Sequence, residues 1–170
     1  MISEYEYLAT CIDLEGHITL SGRQRKYSSS IHYTAVISID NLSKPILEHI
    51  QQKIKFGHII KGSRLDSGAQ MWRWITSRIE IQQYLPLIEP FLIIKQKQAQ
   101  LLIEACQILK SKQETGKMFK KKNAGEFYTI DEYNQLENIF QQMKYLNGKS
   151  TTKNDPLTDA EKLLRELRRR

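Results

Sequence analysis

The 170-residue chain is 40% hydrophobic and 26% charged, which is typical of one globular domain and excludes a disordered tail. No apolar run reaches the roughly 18 to 20 residues of a membrane span, and no signal-peptide pattern opens the chain, so we expect an intracellular protein. A formal net charge of +7 is typical of a protein that binds a polyanion, and nucleic acid is a better candidate than an anionic membrane surface. The alternative is a soluble protein whose lysines are solvated.

The first predicted helix ends on an acidic residue. Ser3 and Glu6 fit a capping box, apolar residues follow at helical spacing, and Gly16 predicts a left-handed exit. Glu15 then lies in the last turn, where the helix dipole disfavours a carboxylate by roughly 0.3 to 1 kcal/mol. Because Mg²⁺ binds carboxylate and carbonyl oxygens, Glu15 and the backbone carbonyl of Gly16 form a candidate metal site. The alternative is a solvated glutamate before a C-cap glycine.

Two hairpins and several helices follow. Period-two alternation predicts strands at 18–25 and 32–39, and a second hairpin around Asp66-Ser67-Gly68 has predicted strands at 58–61 and 70–76. Helical periodicity, Pro45 and two capping-box patterns predict helices at about 45–54, 77–87, 94–110, 130–146 and 159–168. Cys11 and Cys106 are isolated among apolar helical residues, which predicts two reduced core thiols.

One face of the first hairpin is polar and basic, and the other is apolar. The predicted residues of the polar face are Thr19, Ser21, Arg23, Arg25, His32, Thr34 and Ser38. A polar exposed face is ordinary for an antiparallel sheet, but a two-stranded ribbon also fits the DNA major groove, where arginine pairs with guanine O6 and N7. Arg64 and Arg73 of the second hairpin are candidates to extend this surface.

Segment 8–16, Leu-Ala-Thr-Cys-Ile-Asp-Leu-Glu-Gly, resembles the LAGLIDADG motif of homing endonucleases, with Glu15 at the family's metal-binding acidic position. Thr10, Cys11 and Leu14 depart from the motif, and the family often has small residues where Thr10 and Leu14 stand, which lets two such helices pack closely. Further segments resemble the family in order across residues 5–155. The run Pro-Phe-Leu-x-x-Lys-Gln-Lys-Gln-Ala at 90–99 resembles the single-motif, homodimeric branch that includes intron-encoded enzymes of algal chloroplasts.

The resemblance implies an α+β fold in which an αββαββα core presents an antiparallel sheet as a DNA-binding saddle, with helices on the other face. It implies an endonuclease domain at 1–155, followed by a C-terminal helix and basic tail at 156–170. The implied activity is site-specific double-strand DNA cleavage with Mg²⁺, or Mn²⁺, in an organelle (chloroplast or mitochondrion) or a bacterial cytoplasm. Since one motif supplies one acid and two strands are cut, a homodimer on a long pseudo-palindromic site follows.

Several further roles are implied residue by residue. Lys95 aligns with the family's basic active-site residue, Asn41 lies where the family often has a water-ordering glutamine, and Lys44 is a second candidate for the basic role. We expect Asp13 to make a structural contact. A loop at 147–153 resembles the family's DNA-backbone loop, with Lys149, Ser150 and Lys153 as its candidate contacts.

Two alternatives share this fold. One is an RNA maturase, in which cleavage is lost, and the other is a DNA-binding protein without catalysis. Retention of Glu15 and Lys95 favours nuclease activity, because RNA binding alone does not require a metal-binding acid. A basic segment at 117–122 is either solvated or phosphate-facing.

Overall fold

The computed structural model describes residues 3–24, 31–114 and 128–148. The elements in chain order are α1 (Glu4–Glu15), β1 (Gly16–Gln24), β2 (Ile31–Asn41), α2 (Lys44–Ile54), β3 (His58–Arg64), β4 (Gln70–Ile75), α3 (Arg78–Ile88), a 3-10 helix (Glu89–Phe91), α4 (Gln96–Glu114) and α5 (Ile130–Leu146). In these ranges no helix is long and apolar enough to cross a membrane. The predicted hairpins and the helices up to residue 146 are confirmed. The predicted segments at 117–122 and 159–168 lie outside the described residues.

The four strands form one antiparallel sheet in the order β1-β2-β4-β3. β1 pairs with β2 over its whole length, beginning with Gly16 opposite Ile39. β2 then pairs with β4 over residues 38–41, so the two hairpins join in the middle of the sheet. The pairing of β3 with β4 shifts in register between Lys61 and Arg64, which marks a β-bulge.

The helices and one face of the sheet enclose the hydrophobic core. Trp74 of β4 and Tyr33 of β2 are the largest side chains buried there. The indole N–H of Trp74 donates to the Phe56 carbonyl at 3.2 Å, so its buried donor is satisfied. The Tyr33 hydroxyl donates to the carboxylate of Glu137, which ties α5 to the sheet. The polar side chains of the first hairpin lie on the opposite face, as predicted.

The turn that leads into β3 depends on Gly57. This residue has a φ of 73°, and a Cβ built on it would lie 2.4 Å from Nε1 of Trp74. The Gly57 N–H donates to Glu80 at 2.8 Å, and the same carboxylate accepts the N–H of Ser77 in a capping box. The turn is therefore tied to the first turn of α3.

Helix α1 begins as predicted but ends differently. Ser3 Oγ accepts the N–H of Glu6 at 3.1 Å. Gly16 has φ −89° and ψ 167°, which is extended backbone, so the predicted left-handed exit is wrong. The chain passes directly from helix to strand, and a Cβ at Gly16 would lie 2.7 Å from Cα of Ile12. Glycine is required here by this close approach rather than by a positive φ.

The two cysteines are free. Cys106 is buried in α4, as predicted, and burial raises the pKa of its thiol to about 11. Cys11 is half-buried and packs against the edge of the core, so its predicted place within the core is confirmed only in part.

Candidate active site and nucleic-acid interface

The C-terminal end of α1 presents Glu15 to solvent. Glu15 is the last residue of the helix, its side chain is exposed, and Gly16 begins β1 immediately after it. The abrupt change from helix to strand places the carboxylate at the end of the sheet where β1 starts. No hydrogen bond or ion pair of Glu15 is described, so its oxygens are available to a cation.

Lys95 lies at the same end of α1. Its Nζ donates to the carbonyl oxygens of Ile12, at 2.8 Å, and of Asp13, at 2.5 Å. The Ile12 carbonyl also accepts the N–H of Gly16. These are last-turn carbonyls of a helix, where the dipole favours a positive charge. The structure thus brings together Glu15 and Lys95, the two residues to which the resemblance gives the main catalytic roles.

Asp13 connects α1 to the segment that precedes α4. Its carboxylate accepts three backbone N–H groups, from Ile93 at 2.7 Å, Ile94 at 3.2 Å and Lys95 at 2.9 Å. The expected structural role of Asp13 is confirmed. Together with the two bonds from the Lys95 amine, these contacts form what we call the 13–95 clasp. The clasp joins segments about eighty residues apart and fixes the backbone on which Glu15 stands.

The charges around Lys95 oppose the effect of its burial. Burial disfavours the charged ammonium and lowers the pKa of Lys95 below its usual value, whereas the nearby carboxylates of Asp13 and Glu15 act to raise it. The Glu15 carboxylate therefore has a favourable electrostatic interaction with the Lys95 ammonium. An ammonium beside an exposed carboxylate suits a site that receives a phosphate and a divalent cation.

The residues fit a metal only in part. Glu15 offers a carboxylate of the type that Mg²⁺ prefers, and a backbone carbonyl at Gly16 has the same donor chemistry. Across the described ranges, however, no three His, Cys, Asp or Glu side chains come together in a way that could hold an ion. If a divalent cation binds here, the Glu15 carboxylate and a backbone carbonyl would be only part of its coordination shell.

The polar sheet face carries most of the predicted DNA contacts. Ser21, Arg23, His32 and Thr34 are exposed, and Thr19 is half-buried. Arg23 lies opposite His32, and Ser21 lies opposite Thr34, so these side chains form adjacent pairs across β1 and β2. This part of the surface agrees with the alternation read from the sequence.

Ser38 is a correction. It has the correct strand parity, yet only 4% of it is exposed. Its neighbours across the sheet are His17 on β1 and Ile75 on β4, and larger side chains on both sides of a small serine cover it. Its burial argues against the predicted contact with DNA.

Arg73 has a partner that the sequence did not indicate. Its Nε and Nη2 donate to the two carboxylate oxygens of Asp40 at 2.5 and 2.7 Å, and the two residues are opposite each other in the β2–β4 register. Alternation along β2 places Asp40 on the polar face, but only the sheet register reveals the pair. Arg64, at the end of β3 beyond the bulge, is exposed.

Asn41 and Lys44 make local contacts. The side-chain oxygen of Asn41 accepts the N–H of Ser43 at 2.8 Å and so shapes the entry to α2. Lys44 forms an ion pair with Glu48 at 2.7 Å, and its ammonium lies 5.1 Å from the ring centroid of Trp72. The contacts described for these residues do not include Glu15 or Lys95. Four further predicted contacts, Arg25, Lys149, Ser150 and Lys153, lie outside the described residues.

Neither a protein-family model nor a curated protein sequence matches the chain. Solved structures do match it. The homing endonuclease I-CvuI, in complex with its target in the presence of calcium, has a TM-score of 0.63 at 16% identity, covering 91% of this chain and 86% of that chain. The archaeal intron-encoded homing endonuclease I-Vdi141I, complexed with DNA, has a TM-score of 0.67 at 18% identity, covering 89% of each chain. The LAGLIDADG homing endonuclease I-SmaMI, bound to cleaved DNA, has a TM-score of 0.61 at 12% identity.

The fold is that of the LAGLIDADG homing endonucleases, as the sequence predicted. The chain covers almost all of I-CvuI and I-Vdi141I, whereas the match covers 94% of this chain and 52% of I-SmaMI. The chain therefore spans about half the length of I-SmaMI.

Proposed function

We propose that this chain is a site-specific DNA endonuclease of the LAGLIDADG family, which hydrolyses phosphodiester bonds with a divalent metal as a homodimer. The observation that carries the proposal is the position of Lys95 on the last turn of α1, beside the exposed carboxylate of Glu15. Both groups lie where the polar sheet face begins. The fold, shared with solved DNA-bound homing endonucleases, supports the same class of substrate.

In the proposed reaction, Glu15 would hold the divalent cation, with the carbonyl of Gly16 and phosphate oxygens of the DNA as further candidate ligands. A bound metal would lower the pKa of the attacking water and stabilise charge on the phosphate. Lys95 supplies positive charge close to the phosphate. Water adds across one P–O ester bond, so that a bond to the water oxygen forms and the bond to the leaving sugar oxygen breaks. Calcium and magnesium were present in structures of I-CvuI, which supports a divalent metal.

The homodimer is proposed because a single Glu15 serves one strand. Leu14, next to the acid, is 72% exposed, and Ile93 and Ile94 on the other side of the clasp are 89% and 67% exposed. Clustered exposed apolar side chains are typical of an interface. Thr10, on the same side of α1, donates its hydroxyl to the Glu6 carbonyl at 3.0 Å, so it would bring no unsatisfied donor into a dimer contact. The match to about half of I-SmaMI also agrees with a chain that pairs with a second copy.

A DNA-binding protein without catalysis is the second candidate. The specific observation in its favour is that Lys95 caps the carbonyls of Ile12 and Asp13, which gives the lysine a structural use independent of cleavage. An RNA maturase with the same fold is the third candidate. A comparison of the chain's affinities for DNA and for the host intron RNA distinguishes a maturase from the two DNA-binding candidates.

The test uses duplex DNA that spans the uninterrupted form of the locus that hosts the gene. The wild-type chain in Mg²⁺ should cut both strands, and Glu15→Gln should bind without cutting. Glu4→Gln is the matched control, because it alters an exposed glutamate in the first turn of the same helix, and it should cut like the wild type. If the wild type bound the duplex but cut it in neither Mg²⁺ nor Mn²⁺, the result would favour the non-catalytic candidate. Preference for the intron RNA would favour the maturase.

A further inference from the structure

The ion pair between Asp40 and Arg73 lies on the polar sheet face. Asp40 follows Ile39 on β2, and Ile39 is the residue opposite Gly16, so the pair lies one residue beyond the start of β1. Its geometry is a parallel fork, with Nε and Nη2 of the arginine on the two oxygens of the carboxylate at 2.5 and 2.7 Å. A bidentate fork fixes the plane of the guanidinium as well as its position.

The fork leaves part of the arginine available. A guanidinium has five N–H donors, and Asp40 occupies the one on Nε and one on Nη2. The other Nη2 hydrogen and the two on Nη1 have no hydrogen-bond partner among the residues that the structure describes. The Arg73 side chain is 41% exposed and that of Asp40 is 21% exposed. Arg73 therefore keeps a second two-donor edge, which is held in a defined plane and is accessible to solvent.

The charge of the pair limits what this edge can bind. Asp40 neutralises Arg73 and would repel a phosphate group brought against the pair. A guanine edge is uncharged and offers two coplanar acceptors, O6 and N7, which match the two-donor edge of arginine. No carboxylate partner is described for the exposed Arg23 or Arg64, so these two arginines keep their full positive charge toward DNA. The chemistry of the Arg73 site thus favours a base over the backbone.

We propose that Asp40 is a positioning residue that orients Arg73 to read a guanine in the major groove, which makes this pair a determinant of sequence specificity. The inference rests on the proposed function, because it takes duplex DNA as the ligand. In a homodimer the pair occurs twice, so the guanine preference appears at two symmetric positions of the site.

The experiment selects bound duplexes from a randomised DNA library, with the full chain in Ca²⁺. We expect the wild type to enrich guanine at one symmetric pair of positions. Arg73→Met should weaken that preference by about tenfold or more, because the methionine side chain has no N–H donor for the paired contact with guanine. Asp40→Asn should weaken it severalfold while overall affinity stays constant or rises, since a negative charge has been removed. Glu104→Gln, which removes an exposed carboxylate from α4, is the charge-matched control and should change neither quantity.

The outcomes separate the inference from the proposed function. An unchanged guanine preference in Asp40→Asn would overturn the positioning role. If Arg73→Met instead kept the guanine preference but bound all duplexes less tightly, with a salt dependence flattened by about one unit, the contact would be to phosphate and the inference would also be overturned. If the wild type enriches no duplex, the proposed function itself fails. Should Asp40→Asn not fold, Asp40→Glu replaces it: the charge remains, the fork is displaced by one methylene, and the preference should still fall.

Discussion

The Nζ of Lys95 lies 2.8 Å from the carbonyl oxygen of Ile12, so an amine that just precedes α4 caps the helix that ends in Glu15. Asp13 makes the reciprocal contact by accepting three N–H groups around Lys95. The acid and the base of the candidate site are thus held by one set of hydrogen bonds. We therefore expect Lys95 to contribute to stability as well as to the proposed cleavage, and the two contributions can be measured separately.

Replacement of Lys95 by methionine should lower the free energy of unfolding by about 1 to 2 kcal/mol, because the variant loses a charged donor to two helix-end carbonyls. Urea denaturation measures this change. Lys97→Met alters an exposed lysine of α4 and should leave stability within about 0.5 kcal/mol of the wild type. Equal stability of the two variants would contradict the capping role. Cleavage by Lys95→Met should fall further than its folded fraction explains.

Introduction of a charge at Leu14 should separate the proposed dimer. The wild type is expected to have twice the mass of one chain in light scattering at micromolar concentration, whereas Leu14→Glu should shift toward the monomer because two carboxylates would meet in an apolar contact. Ile130→Glu is the matched control, since Ile130 is 80% exposed at the start of α5. A wild-type monomer, or a Leu14→Glu dimer of unchanged affinity, would refute this interface.

Two glycines with positive φ give a matched test of the packing around Trp74. Gly57→Ala should destabilise the fold by more than about 3 kcal/mol, because it combines left-handed strain with a Cβ that would lie 2.4 Å from the indole nitrogen. Gly68→Ala has a similar φ, 81°, but its Cβ would meet nothing within 4 Å, so only about 1 to 2 kcal/mol of strain is expected. The changes in the free energy of unfolding are obtained from urea denaturation. Similar decreases for both variants would mean that the turn at residue 57 can move away from Trp74 without destabilising the fold.

The thiol of Cys106 should make stability depend on alkaline pH. Burial raises its pKa from 9.0 to about 11, so the unfolded chain releases this proton first. The protonated thiol therefore contributes to the free energy of unfolding in full below pH 9. This contribution, about 2 to 3 kcal/mol in all, is lost as pH rises toward 11. Cys106→Ala should therefore lose stability less steeply than the wild type across that window. Parallel slopes in urea denaturation at several pH values would argue that the thiol ionises in the folded protein.

Local sequence signals were sufficient for most of the fold. Ser3 and the apolar spacing of α1 placed the first helix, alternation placed the first hairpin and identified its polar face, and the turn residues Asp66-Ser67-Gly68 placed the second hairpin. These features depend on interactions between residues close in sequence, which is why they can be read from one chain. The placement of Glu15 and Lys95 at the same end of α1 is different, since the two residues are eighty positions apart and only the family resemblance connected them.

Three features could not be read because they depend on the sheet register or on backbone proximity. Alternation assigns Ser38 to a face but does not say that its neighbours cover it. The bond between Asp40 and Arg73 requires the alignment of β2 with β4, strands that are not consecutive. Gly16 resembles a helix-ending glycine, and its actual constraint, contact with Ile12, appears only when the strand continues directly from the helix.

The 13–95 clasp shares no residue with the polar sheet face, so the two parts of the molecule could change in sequence independently. It fixes the last turn of α1, which carries Glu15, through contacts with the segment before α4, and these contacts involve none of the outward-facing side chains of Ser21, Arg23, His32 and Thr34. Substitutions of those four side chains are therefore expected to leave Glu15 in position. If the proposed function holds, the surface that contacts DNA could be redesigned while the position of Glu15 is kept.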